Sequence, residues 1–308
     1  MTKFLQTLMD GVAVGSLYAL IALGYTMVYG ILQFINFAHS DVFVLGAWVS
    51  YTIAVTLGYA AANAEPSVFA GLLILFAAMA TCGAMGFTIE RLAYRPLRNA
   101  PRLNVLITAI GVSLLLQNVG QLPWFFGTQP QRMPSLIEDK VLGVVSGVSI
   151  HAVDVIGAGT AIVLMLILEW LIFRTRLGSA MRAVSHDTAV ASLMGINVDA
   201  VISFTFVLGS ALAAAAGFLY AMKYPGLNQP AHATWVLLGL KAFVAAVIGG
   251  IGNVRGAMLG GFLIGAIELF GAAYLSPHLR DIYVFSILIV VLLVRPSGIL
   301  GSTVAEKV

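Results

Sequence analysis

The sequence predicts an all-α protein, a single polytopic bundle of about eight or nine transmembrane helices, some of them discontinuous. Only 9% of its 308 residues are charged, whereas an ordinary soluble domain has roughly 25%. Hydrophobic residues make up 60%, and the mean hydropathy is +0.99. Five charge-free stretches are each longer than the roughly 20 residues that a helix needs to cross a bilayer: 11–40, 42–64, 66–89, 103–131 and 200–222.

The first predicted helix covers residues 8–30 and is followed by a polar island at 33–41. Charged residues and turn-forming Pro, Gly and Asn delimit the helices after it. Residues 127–152 are predicted to form the longest external stretch, and the short charge-free stretches of the last third argue against straight, lipid-facing helices there. The further helices are predicted at 42–62, 67–90, 104–126, 153–173, 201–222, 234–251, 257–274 and 282–294.

Two basic loops predict the orientation of the bundle, because short loops rich in Lys and Arg face the cytoplasm. Residues 91–102 and 174–199 are therefore expected to be cytoplasmic. Counting helices from them places the N-terminus outside, unless the polar island lies within the bilayer as an interrupted helix. The arginines concerned are Arg91, Arg95, Arg98, Arg102, Arg174, Arg176 and Arg182.

Several classes of function find no support in the sequence. The net charge of +3 comes from basic clusters at helix ends, so nucleic acid is not an expected partner. The single cysteine, Cys82, and five scattered histidines form no metal-binding pattern. No phosphate-binding loop is present, and the glycines at 249–256 have the wrong spacing for a dinucleotide loop. We therefore expect no catalytic residue, no metal and no cofactor in this chain.

Two glycine-containing polar stretches, at 36–41 and 249–256, are candidates for interrupted helices. Transporters often place their path where helices break in corresponding places of the two halves. Asn36, His39, Gly249, Gly250 and Gly252 are thus candidates for a translocation path. The alternative is tight helix packing, which the pairs Gly11/Gly15, Gly256/Gly260 and Gly261/Gly265 also favour.

Lys241 and Glu268 lie within predicted membrane helices, where an unpaired charge costs roughly 2.5 to 3.5 kcal/mol. They are expected to pair, to reach towards the interface or to line the path. Coupling to protons by a carrier acting alone is a further possibility. A proton relay needs a chain of acids, however, and Glu268 is the only acid expected to lie deep.

The second basic loop contains a predicted short helix at 188–194. Asp187 is suited to its N-cap and Gly195 to the position after its C-terminus. Val190, Leu193 and Met194 share one face, which suits either the groove of another protein or the lipid surface. The candidate coupling residues are Asp187, Thr188, Ala191, Leu193, Met194 and Gly195.

The chain resembles, from end to end, the LivH-type permease of bacterial branched-chain amino acid ABC importers, a relative of the RbsC-like permeases. The likeness rests on motifs that are each weak but together specific. They are GYTMVYG at 24–30, INFAH at 35–39, AYRP at 93–96, LITAIG at 106–111, LMGIN at 193–197, GLKAF at 239–243, GGIG at 249–252 and RPSGILG at 295–301.

This resemblance implies a single permease domain over residues 1–308 in the bacterial inner membrane, with residues 174–199 as its cytoplasmic coupling loop. It implies four kinds of neighbour: a second related permease, two ATPase subunits that use ATP and Mg²⁺, a periplasmic amino-acid-binding protein and the lipid bilayer. Leucine, isoleucine and valine are the implied substrates. Urea and short-chain amide permeases are similar over the same motifs. The E-A-A-x-x-x-G signature of import permeases matches at Ala191 and Gly195 but lacks its glutamate.

Overall fold

A computed structural model of the chain describes residues 2–61, 64–98, 100–145 and 147–301, with only the backbone at Arg102 and Val145. The described residues are mostly helical, which confirms the predicted fold class. Seven helices are long and apolar enough to span a membrane. The helices are α1 (Thr2–Leu32), α2 (His39–Thr56), α3 (Val68–Ile89), α4 (Arg102–Gly120), α5 (Ala152–Arg174), α6 (Arg176–His186), α7 (Thr188–Leu193), α8 (Val198–Lys223), α9 (Ala233–Gly249), α10 (Val254–Tyr274) and α11 (Arg280–Val294).

Nine of these helices match the nine predicted ones, with shifted ends. The first begins at Thr2 rather than residue 8, and the ammonium group of Lys3 in its first turn bonds the carbonyl of Ala273 at 2.5 Å. The second ends at Thr56 rather than 62, since Gly58 adopts φ +88°. Helix α3 continues through a π-helical turn, Glu90–Tyr94, and a 3₁₀ turn.

Short strands occupy part of the stretch that was predicted as the longest external loop. Strands β2 (Val141–Val145) and β3 (Val148–His151) form an antiparallel hairpin with an irregularity between Val141 and Gly143. Strand β1 (Gln131–Arg132) pairs with β4 (Gly226–Leu227), far along the chain. The sequence prediction contained no strands, and α6 was likewise missed.

Helix α1 lies at the centre and packs against α8, α9 and α10. Its contact with α10 is made through glycines, so the two backbones touch. A Cβ atom added to Gly265 would lie 2.4 Å from the Cα of Gly15, and one added to Gly261 would lie 2.4 Å from the Cα of Ala19. The predicted close packing at these glycine pairs is confirmed. The pair Gly256/Gly260 makes the same kind of contact with α9.

Helices at the periphery leave large apolar side chains uncovered. Leu166 and Trp170 of α5 and Leu293 of α11 are more than half exposed. Exposing such a surface to water has a free-energy cost, whereas contact with lipid chains does not. The bundle therefore has the surface of a membrane protein.

The two ends of the bundle differ in chemistry, and we name them after their contents. The basic face carries the arginine segments 91–98 and 174–182, together with Arg255, which stacks on Phe173 as Arg182 does. The strand face carries the four strands. It also holds the N-terminal turn of α1, where the side-chain carbonyl of Gln6 accepts the Ser149 N–H at 3.1 Å.

We predict that Gly265→Ala destabilises the protein by about 1–3 kcal/mol, because the added methyl group must displace the backbone of α1. The matched control is Gly111→Ala on α4, where a Cβ meets no atom within 4 Å. The melting temperatures of the two purified variants test this. Equal melting temperatures would show that the glycine contact does not limit helix packing.

Candidate functional site

The short helix α7 lies on the basic face between two longer helices and has both predicted end signals. An Asp187 carboxylate oxygen accepts the N–H groups of Ala189 at 2.8 Å and Val190 at 2.9 Å. Gly195 takes the left-handed conformation, φ +81°, that favours glycine after a helix. The helix ends at Leu193, one residue earlier than predicted. The local structure is thus confirmed.

Apolar side chains at the C-terminal end of α7, and just after it, project from the protein. Leu193 is 86% exposed and Met194 is 78% exposed, while Ala191 is buried against the bundle. Large apolar groups in this position are unusual unless something covers them. Thr188 borders a cavity of about 640 Å³ between α1, α4 and α8.

The chain on both sides of α7 is fastened to the bundle. The hydroxyl group of Ser185, on α6, donates to the carbonyl of Gly30 near the end of α1. The side chain of Asn197 accepts the Ala200 N–H at 3.0 Å and so caps α8. These contacts hold α6 against α1 on one side of α7 and fix the start of α8 on the other.

The first arginine segment is also tied to α8. Arg95 and Arg98 both pair with Asp199, and Arg98 pairs in addition with the fully buried Glu90. The second carboxylate oxygen of Glu90 accepts the Ser203 hydroxyl at 2.6 Å. These arginines, read in the sequence as an orientation signal, thus also hold α3 and α8 together at the basic face.

The chain between α1 and α2 is not helical, so the first predicted break exists, although at 33–38 rather than 36–41. The Asn36 side-chain oxygen accepts the Tyr94 hydroxyl at 2.6 Å and the Ala38 N–H at 3.1 Å. His39 then begins α2 inside the bundle, with its Nε2 atom 3.2 Å from the Ile21 carbonyl oxygen. Both candidate residues are buried and bonded.

The second predicted break also exists, between Gly249 and Val254. Gly250 and Gly252 have φ +107° and +93°, which favour glycine, and they let the chain reverse between α9 and α10. The segment 298–301 packs over this turn. The N–H groups of Ile299 and Leu300 donate to the carbonyls of Ile248 and Gly249 at 2.8 and 3.0 Å.

Lys241 lies halfway along α9 and is paired rather than free. Its ammonium group lies 2.8 Å from a carboxylate oxygen of Glu268 and 2.7 Å from one of Asp281. The other oxygen of Glu268 accepts the Tyr18 hydroxyl at 2.7 Å. This network joins α1, α9, α10 and the start of α11. Its partners Tyr18 and Asp281 carried no signal in the sequence.

The expectation that Glu268 is the only deep acid was wrong. Asp41, in the first turn of α2, is 4% exposed and accepts the side-chain amide of Gln117 at 2.8 Å. Glu90 is buried as well. Gln117 bonds Asp41 and Ser203 bonds Glu90, and both partners are distant in sequence, so a local charge count does not reveal them. The second carboxylate oxygen of Asp41 has no partner among the described residues.

The structure does not gather the predicted path residues into one place. Asn36 and Gly252 lie towards the basic face, His39 lies inside against Gly24, and Lys241 lies in its ion network. These residues each lie close to α1 but do not all lie close to one another. Their role in a path stays a prediction, as does the docking role of α7.

We predict that Lys241→Met lowers stability by about 3–5 kcal/mol, since it leaves the Glu268 carboxylate buried without its cation. Adding Glu268→Gln to this variant should recover part of the loss. Lys140→Met, at an exposed pair with Glu138, is the control and should cost almost nothing. Thermal melting of the purified proteins measures all three, and an equal loss at Lys140 and Lys241 would contradict the assignment.

A polytopic bundle with breaks in its helices, buried ion networks and an exposed capped helix on its arginine-rich end has the features of a membrane transport subunit. The sequence model of the family described as branched-chain amino acid transport system / permease component matches residues 7–293. The chain belongs to this family and is a multi-pass inner-membrane protein.

Named relatives match over almost their whole length. The chain is 44% identical to the high-affinity branched-chain amino acid transport system permease protein BraD of Pseudomonas aeruginosa, covering 99% of this chain and 98% of the relative. It is 44% identical, with the same coverage, to the permease protein LivH of the corresponding Escherichia coli system. A probable LivH of Methanocaldococcus jannaschii is 28% identical over 96% and 92%. No solved structure matches the chain significantly.

Proposed function

We propose that this chain is the membrane-spanning permease subunit of an ATP-driven importer that moves leucine, isoleucine and valine into the cell. The observation that carries the proposal is 44% identity, over nearly the full length, to permeases named for high-affinity branched-chain amino acid transport. The resemblance in the separate motifs points to the same substrates.

The basic face is assigned to the cytoplasm and the strand face to the periplasm. The arginine segments 91–98 and 174–182 support this, because positively charged short loops stay inside. The N-terminal turn of α1 then lies outside, beside the β2–β3 hairpin. The loop 174–199, with α6 and α7, faces the cytoplasm.

The proposed assembly contains a second related permease, two cytoplasmic ATPase subunits and a periplasmic amino-acid-binding protein. ATP and Mg²⁺ are used by the ATPases, since this sequence has no phosphate-binding loop. In this proposal the chain itself requires no cofactor or metal. It forms the translocation path and changes conformation when the ATPases bind ATP.

Helix α7 is the proposed contact with an ATPase. Burying Leu193 and Met194 in an apolar groove removes large exposed side chains from water and contributes about 1.5–3 kcal/mol for each. The bonds from Ser185 to Gly30 and within the Asn197 cap then pass the movement of α7 to α1 and α8. Asp187 and Gly195 keep α7 short and rigid enough for this.

Reconstitution with the partner subunits in liposomes tests the transport proposal. We expect leucine to be taken up when ATP is supplied on the basic-face side and the binding protein on the other side. Uptake of urea in place of leucine would reassign the substrate. Uptake by this chain alone, driven by a pH gradient, would overturn the ATP-driven mechanism.

We predict that Leu193→Asp reduces both the co-purification of the ATPases and ATP-driven uptake at least about tenfold, because a charge opposes burial in an apolar groove. Leu275→Asp is the matched control, since Leu275 is 75% exposed but lies on the strand face. It should retain the ATPases. Normal ATPase association in Leu193→Asp would show that α7 is not the contact.

A further inference from the structure

A cavity of about 140 Å³ lies inside the bundle next to the Lys241 network. Its mouth is at the strand face, where Tyr224 and Arg280 are both exposed. Its volume corresponds to about five water molecules, well below the roughly 300 Å³ at which drug-sized pockets begin. The space therefore suits a molecule of amino-acid size.

The inner end of the cavity is closed by aromatic packing. Phe43 is fully buried and packs edge to face against Tyr220, with ring centroids 5.7 Å apart, and against Trp235 at 6.0 Å. Further from the strand face than Ile21, His39 packs against Tyr25 with ring centroids 4.7 Å apart. A ligand entering from the strand face would thus stop halfway through the bundle.

Both signs of charge line the cavity. Glu268 lines it with a carboxylate whose two oxygens accept bonds from Lys241 and Tyr18, so each oxygen keeps a further lone pair that can accept a bond. Arg280 lines it too, and none of the ion pairs among the described residues includes Arg280. The phenol of Tyr224 is protonated at neutral pH and serves as a further donor at the mouth.

The charges around the cavity balance only when Arg280 is included. Lys241 carries one positive charge against the two negative charges of Glu268 and Asp281, and Arg280 supplies the second positive charge. A ligand with one ammonium and one carboxylate group preserves this balance. A ligand with a net positive or negative charge leaves one charge uncompensated, and the free-energy cost of that charge is larger in a medium of low dielectric constant.

The rest of the lining is aliphatic or aromatic. Apolar pockets with a few convergent polar groups are typical binding sites for small molecules. The apolar lining residues are Val14, Leu17, Ile21, Phe43, Leu238 and Leu269.

We propose that this cavity binds an L-α-amino acid with an aliphatic side chain on its way in, with its ammonium group at Glu268, its carboxylate at Arg280 and its side chain among the apolar residues. The inference rests on the proposed function and adds to it a binding site within this one chain. Tyr18 and Lys241 are positioning residues, since they hold the Glu268 carboxylate in place.

Cysteines introduced into this chain can be labelled without background from its native thiol, because Cys82 is buried and Cys82→Ala leaves no other thiol in this chain. Leu269→Cys places a thiol in the cavity, and Tyr224→Cys places one at its mouth. Thr128→Cys, on an exposed loop of the strand face, is the control. Each variant is assembled with its partner subunits in nanodiscs, and its reaction with a small methanethiosulfonate reagent is timed.

We expect millimolar L-leucine to slow labelling of the cavity thiols at least about fivefold without affecting Thr128→Cys. Glycine, 3-methylbutylamine and 4-methylpentanoate each lack one required group and should protect less than twofold. Glu268→Gln should remove the protection by leucine. Arg280→Gln should remove it too, while Arg132→Gln, at the same face but outside the cavity, should not.

Two results would overturn the site. One is no reaction of either cavity thiol, which would show that the cavity is closed to the strand face. The other is equal labelling with and without leucine while the Cys82→Ala parent still takes up leucine with ATP. Failure of the parent to transport leucine would instead count against the proposed function, so the two failures are distinguishable.

Discussion

The direct backbone contact between α1 and α10 is the constraint on which the structure depends. Lipid chains are as apolar as leucine, so no hydrophobic force drives helices together inside a bilayer, and close van der Waals packing has to do so. Gly15, Gly261 and Gly265 allow it, because a Cβ atom at any of these positions would overlap the backbone of the facing helix. A slide of one helix along the other would bring larger side chains into these positions. The seam between α1 and α10 is therefore expected to stay fixed.

Around this fixed seam, α1 is joined to the two proposed functional regions. At the basic face Gly30 holds α6 through Ser185, and thereby the exposed helix α7. Towards the strand face Tyr18 bonds Glu268, which places the Lys241 network and the adjoining cavity on the same helix. Peripheral helices such as α4 and α11 have few buried residues and are freer to move. Transport in this account is movement of the other helices relative to α1 and α10, which move together as one rigid pair.

Features that depend on local sequence were predictable, and features that depend on distant partners were not. The spacing of scarce charges located nine helices, and Asp187 and Gly195 located α7, because spanning length and helix caps are local properties. The identities of Tyr18 and Asp281 as partners of Glu268 and Lys241 depend on how four helices meet. The same holds for the burial of Asp41 and Glu90 and for the β1–β4 pair, whose strands lie far apart in the chain.

Cross-linking α1 to α10 tests whether the seam between them stays fixed during transport. Phe4 of α1 and Phe270 of α10 have ring centroids 5.2 Å apart near the strand face. The measurement is ATP-driven leucine uptake by the reconstituted complex carrying Phe4→Cys, Phe270→Cys and Cys82→Ala, before and after joining the thiols with a short, reducible cross-linker. The account predicts that uptake after cross-linking stays within about twofold of the uncrosslinked sample, since the seam does not move. Loss of uptake on cross-linking and its return on reduction would contradict it.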